Sequence, residues 1–150
     1  MSTAGSPQIV SCQGCDRRNR VRATASRLGY CASCGRPLPW LEEADQSMFG
    51  VAVEQSPLPV LVDFWAPWCA PCRPVSRIVE QLARELTGRL KVVKVNADQA
   101  PELGQRFSIQ GIPTLILFDN GQVRDRLIGG VDAATLRSWL EPRLAVPHPT

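Results

Sequence analysis

The chain has 150 residues, 44% of them hydrophobic and 21% charged, with a net charge of +3, enough for one full core and a small appendage but not for two large domains. No stretch reaches the roughly 20 apolar residues of a membrane span, and the opening MSTAGSPQIV lacks the basic start and the apolar run of about 7 to 15 residues that export requires. A cytoplasmic protein is expected, and because structural disulfides are rare in that compartment, six cysteines point to metal or redox chemistry.

Residues 1–36 hold few large apolar side chains and show no sustained period of 2 or 3.6, so this segment cannot form a core alone. Something else must hold it. Cys12-x2-Cys15 and Cys31-x2-Cys34, separated by fifteen residues, match the four-cysteine zinc pattern. One tetrahedral Zn2+ on four thiolates would supply the missing folding energy, and Gly14 and Gly35 suit the tight turns that bring backbone N–H groups to the sulfurs. Two local disulfides, or four free thiols, are the alternative. Arg17, Arg18, Arg20, Arg22, Arg27 and Arg36 oppose only Asp16 here. With Tyr30 the chain's only tyrosine and little aromatic interleaving, this basic surface reads as a solvated face rather than a nucleic-acid site.

Farther along, Asp45 is expected to cap a short helix carrying Met48, Phe49, Val51 and Ala52, which SPLP at 56–59 then breaks. VLVDFWA at 60–66 is a nearly continuous apolar run, the pattern of a central strand buried on both faces. Val75, Ile78, Val79, Leu82, Ala83 and Leu86 fall on one face of a helix that Gly88 stops. LKVVKVNAD predicts a second buried strand and APELGQRF a short helix; TLILF and QVRDRLI predict a hairpin turning at Asn120 and Gly121. Leu136, Trp139, Leu140 and Leu144 mark a final amphipathic helix. This order predicts an α/β fold, a mixed central sheet with helices on both faces. The expected division is 1–36 for a zinc-binding ribbon, 37–145 for the main domain and 146–150 for a tail.

The third CxxC pair, Cys69 and Cys72 in WCAPC, lies where the central strand ends and a helix begins, with Cys69 expected in the first turn. Unsatisfied N–H groups and the helix dipole there favour a thiolate nucleophile. The single histidine, His148, is in the Pro-rich tail, so nothing completes a metal site around this pair. Pro71 stiffens the turn. Asp63 interrupts the apolar run on the strand face shared with Leu61 and Trp65, where burial should raise its pKa toward the range of proton exchange with a thiol. Lys94, on the neighbouring strand, is a candidate partner for it. Alternatively both are solvent-facing residues of a strand edge.

VDFWAPWCAPCR, the lysine of KVVKVNAD, IQGIPT, LFDNGQV and IGG stand in the order and approximate spacing found in thioredoxins, and from about residue 40 to 145 the chain resembles that family; with its cysteine-rich start it looks like the thioredoxin 2 type. The resemblance implies a thioredoxin fold preceded by a small zinc ribbon, and reduction of protein disulfides. It implies Cys69 as the attacking thiol, Cys72 as the resolving thiol, Asp63 as the buried acid that assists it and Lys94 as that acid's neighbour. Pro113 matches a cis-proline facing the disulfide, and Ile112 a backbone contact for extended substrates. Trp68, Pro71, Gly111 and Gly129 line the same surface, whereas Trp65 and Trp139 are expected in the core. The implied cofactors are one Zn2+ on four cysteines and a redox-active disulfide, with no bound organic cofactor. The implied partners are an NADPH-dependent thioredoxin reductase and oxidised proteins, acting on a monomer. Two positions depart from the family pattern. Ala70-Pro71 replaces the commonest Gly-Pro, and Arg77 stands where a kinking proline is usual, which predicts a straighter helix beyond its first turn. An oxidase or isomerase on the same fold is disfavoured because Ala-Pro lacks the thiolate-stabilising histidine. A binding module whose ribbon recruits a partner, and a zinc site that acts as a redox sensor, are the remaining readings.

Overall fold

The computed structural model of the protein describes residues 8–21 and 29–145. Arg22, Arg27 and the expected 146–150 tail with His148 lie outside the described residues. β1 (Gln8–Ser11) and β2 (Arg18–Val21) form an antiparallel hairpin in which Ile9 faces Arg20. Among the described residues its core is Cys12, Cys31 and Leu38, with Val10 and Val21 packed against them. Leu38 N–H donates to the Gly29 carbonyl and Tyr30 bridges to Pro37, so the ribbon's packing runs two residues past the expected boundary at 36.

β3 (Trp40–Glu43) had no counterpart in the sequence reading. Its four residues include a buried acid, Glu42, that masks the period of a strand, and only pairing with a neighbour makes it one. That acid is matched across the sheet. Lys91 Nζ lies 3.2 Å from Glu42 Oε1 with both side chains almost fully buried, and Trp40 Nε1 donates to the same oxygen at 2.7 Å. Asp45 Oδ1 accepts from the N–H groups of Ser47 and Met48 as a cap should. The helical turn that follows is a π-helix, Gly50–Glu54, closed by the Gln55 N–H to the Gly50 carbonyl at 2.9 Å. The wider turn buries Phe49, Ala52 and Val53 and leaves Met48 and Val51 half-exposed.

β4 (Val60–Trp65), α1 (Cys72–Glu85), β5 (Lys91–Asn96), α2 (Pro101–Arg106), β6 (Thr114–Asp119), β7 (Gln122–Ile128) and α3 (Ala133–Ala145) follow in the expected order. The sheet runs β3-β5-β4-β6-β7, with β3, β5 and β4 parallel and β6 and β7 antiparallel. β4 is therefore central, as its unbroken apolar run predicts. Its alternate residues serve two cores. Val60, Val62 and Phe64 pack with Phe49, Leu103, Phe107 and Phe118 on one face. Leu61 packs with Val75, Val79, Leu82, Leu136 and Leu140 of α1 and α3 on the other, and Asp63, two residues on, shares that second face.

Local chemistry closes the elements. Asn120 and Gly121 take φ of 52° and 77°, the left-handed pair that a two-residue hairpin turn demands. Asp132 Oδ1 accepts from Thr135 N–H at 2.7 Å and caps α3. Among the described residues, no helix is long and apolar enough to cross a membrane.

Candidate active site and cysteine cluster

Cys69 and Cys72 are joined by a disulfide with their Cα atoms 5.3 Å apart. The expected placement of Cys69 in the helix needs correction: α1 begins at Cys72, and Cys69 occupies the turn before it. Cys69 N–H donates to the Ala66 carbonyl and Cys72 N–H to the Cys69 carbonyl, at 3.1 and 3.2 Å. Pro71, already in helical geometry with φ −69°, is where the chain enters the helix. The disulfide still stands at the helix N-terminus, whose free N–H groups favour negative charge. α1 continues without interruption through Arg77 to Glu85.

Cys69 and Cys72 are 3% and 1% exposed, and pack with Ala66, Trp65 and Ile112. Trp65 thus belongs beside the disulfide rather than in the main core, because the strand ends there and the ring lines the cleft between the strand end and α1. Trp139 is half-buried at the edge of the second core. The Ile112–Pro113 peptide bond is cis, and the Ile112 carbonyl oxygen is 3.8 Å from Cys69 Sγ. Pro113 is buried; its carbonyl accepts from the Gly129 N–H at 2.8 Å, which brings the β7 end alongside. Gly111 and Pro71 are exposed. Trp68 is 70% exposed, its ring held by Nε1 donating to both carboxylate oxygens of Asp98 at 3.1 and 2.9 Å. Sequence reasoning passed over Asp98; the Asn96 side chain, which accepts from its N–H at 3.0 Å, marks an Asx turn that could have flagged it.

Asp63 has no exposed surface. Burial pushes its carboxyl up to about 6, against a hydrogen bond from Ser76 and the charge of Lys94, which pull it down. Ser76 Oγ donates to Asp63 Oδ2 at 2.8 Å. Lys94 pairs with Asp63 in strand register, but its ammonium is bound at 2.8 Å to Glu80 of α1, not to Asp63. Both Ser76 and Glu80 escaped sequence reasoning, since a polar residue on a helix is ordinarily a solvated one. A cleft of about 310 Å3 beside the disulfide is lined by Trp65, Cys72, Ser76, Arg77, Glu80 and Lys94 among others.

In the ribbon, the Sγ atoms of Cys12, Cys15, Cys31 and Cys34 all lie within 4.8 Å of one another; Cys12 and Cys34 are 3.5 Å apart, and Cys15 and Cys31 3.6 Å. A tetrahedron with metal–sulfur bonds near 2.3 Å has edges of about 3.8 Å. The four thiols can therefore hold one metal ion. Gly14 N–H points at Cys12 Sγ at 3.3 Å and Ser33 N–H at Cys31 Sγ at 3.4 Å, and the two turns close on Asp16 and Gly35, both at positive φ. Ser33, at the position matching Gly14, is the second donor. Backbone N–H groups at Cys34 and Ser33 lower the Cys31 thiol pKa and favour its thiolate, the form a metal needs. Asn19 ties the two turns together, its Oδ1 accepting from Ala32 N–H and its Nδ2 donating to the Arg17 carbonyl.

A buried CxxC disulfide at a strand-to-helix junction, faced by a cis-proline loop, is matched by the thioredoxin family profile over residues 40–142. The chain belongs to the thioredoxin family. It is 45% identical to thioredoxin 1 of Nostoc sp. over 102 residues, 68% of this chain and 95% of the relative. It is 44% identical to a thioredoxin of Synechocystis sp. over the same length and shares. Chloroplastic thioredoxin M4 of Arabidopsis thaliana matches at 38% over 132 residues, 85% of this chain and 66% of the relative. The fold is thus a thioredoxin domain preceded by a small ribbon with a four-cysteine cluster, and the Cys69–Cys72 couple makes it a protein-disulfide reductase of the dithiol type.

Proposed function

We propose that this thioredoxin reduces disulfides of oxidised cytoplasmic proteins through Cys69 and Cys72 and is recharged by an NADPH-dependent thioredoxin reductase. What supports this reading most is the Cys69–Cys72 disulfide set between a helix N-terminus and the Ile112 carbonyl, with a buried carboxyl behind it. In the reduced protein, Cys69 thiolate attacks one sulfur of a substrate disulfide; a mixed disulfide forms and the first substrate sulfur leaves as a thiolate. Asp63 takes the proton of Cys72, whose thiolate then attacks Cys69 Sγ. That step releases the second substrate sulfur and closes the Cys69–Cys72 bond. Ile112 offers its backbone to an extended substrate, while Trp68, Pro71, Gly111, Pro113 and Gly129 shape the surface, and Lys94 offsets the charge that Asp63 carries before it takes the proton.

The domain division proposed is a ribbon from 1 to 36 with its packing carried on to Leu38, the thioredoxin domain to 145, and a tail. Zinc is the metal assigned to Cys12, Cys15, Cys31 and Cys34, since an all-thiolate tetrahedral set selects it; when bound it supplies the ribbon's folding energy. A monomer suffices, because one chain holds every group used. Replacing Cys69 by Ser should abolish reduction of a protein disulfide coupled to NADPH oxidation. Cys72→Ser should instead accumulate the mixed disulfide, visible as a mass adduct that reductant removes. A Cys69→Ser protein with undiminished turnover would overturn the assignment.

A further inference from the structure

Asp63 is sealed from solvent, so any proton that reaches or leaves it must pass through a neighbour. β6 presents Leu115 opposite it, and the second core around it is otherwise apolar. The charged and titratable groups that face this region are Cys72, Arg73, Arg77 and Glu80 of α1, and Lys94 of β5. Lys94 is engaged by Glu80 at 2.8 Å. Ser76 differs from all of them. It sits one helical turn from Cys72, on the same face of α1. Its hydroxyl is hydrogen-bonded at 2.8 Å to Asp63 Oδ2, while its half-buried side chain lines the cleft that Cys72 also lines. A serine inside a helix ordinarily turns back on its own helix carbonyls; this one reaches across to a strand.

We propose that Ser76 is a positioning residue of the exchange reaction, holding the Asp63 carboxylate in place and carrying protons between it and the cleft. This rests on the reductase reading above. When Cys72 gives its proton to Asp63, the carboxyl becomes neutral and its O–H turns to Ser76 Oγ. The serine accepts that proton and releases its own to water in the cleft, which leaves carboxylate and hydroxyl as they began. The serine is regenerated, and one proton moves from Cys72 to water.

The test compares wild type with Ser76→Ala, which keeps a strong helix former in α1, and with Ser76→Thr, which restores the hydroxyl. Two quantities are read: the Asp63 carboxyl titration by carbon NMR, and the pH profile of the second step, release of substrate thiol from a preformed mixed disulfide. Loss of the donor should raise the Asp63 midpoint by about one pH unit, shift the acidic limb of the profile upward with it, and slow release about tenfold on that limb and about twofold near neutrality. Ser76→Thr should bring both back. An unmoved Asp63 midpoint overturns the proposal, and so does a slower release whose pH profile has not shifted, since that is the mark of a merely structural effect. Failure of the reductase reading would look different: wild type itself would not reduce a protein disulfide, whatever stands at residue 76.

Discussion

Asp63 carries a carboxyl where every neighbour in β4 is apolar, and that placement has a cost to folding that pH can expose. Its carboxyl is raised from 3.8 to about 6, so between those values the folded protein holds a proton that the unfolded chain has lost. Stability therefore falls as pH rises through this window and is level above it; below it both forms are protonated and no penalty remains. The penalty above pH 6 is about 3 kcal/mol. Asp63→Asn keeps an acceptor for Ser76 and removes the charge, so it should gain on the order of 2–3 kcal/mol of stability at neutral pH. At pH 4 or below it should gain almost nothing. Urea unfolding at the two pH values checks this, and the same variant should resolve mixed disulfides more slowly. An equal gain at both pH values would mean that the ionised form is not what destabilises the protein.

Elements depend on a few positions where the backbone leaves no choice. Gly121 has φ +77°, and a Cβ there would stand 2.9 Å from the carbonyl oxygen of Glu54 at the end of the π-helix. Gly121→Ala therefore meets both a left-handed backbone and a backbone wall. A loss of about 1–2 kcal/mol is expected, read from denaturant midpoints; a loss under a few tenths would show that the β6–β7 turn relaxes freely. Gly35, at φ +76° but with open space around it, carries only the first of those two constraints. β3 illustrates the opposite case. Trp40, Glu42 and Lys91 form a buried group in which desolvation lowers the Lys91 pKa and Glu42 opposes it. Neither charge signals burial in a sequence, because each is tolerated there only through the other.

For the whole molecule, the ribbon and the thioredoxin domain differ in what holds them. The domain has two cores, one on each face of a five-stranded sheet, whereas the described residues of the ribbon bury Leu38, Asn19 and two cysteines with little else. Stripping metal, or replacing Cys12 by Ser, should remove amide-exchange protection from β1 and β2 and leave the main unfolding transition within about 0.5 kcal/mol, since neither domain core is built with a ribbon side chain. Metal content and hydrogen exchange measured together check this. Ribbon amides that stay protected after metal loss would contradict it. The sequence by itself determined the order of β4 to α3, the Asn120–Gly121 turn, the four-cysteine set and the Cys69–Cys72 redox pair, because each rests on local period, turn chemistry or spacing. Residues such as Ser76, Glu80, Asp98 and Lys91 were decided only by the tertiary structure. Their roles come from partners 13 to 49 residues away in contacts made by packing a helix or a strand across the sheet, and a polar side chain gives no sign along the chain of whether it will meet water or an ion.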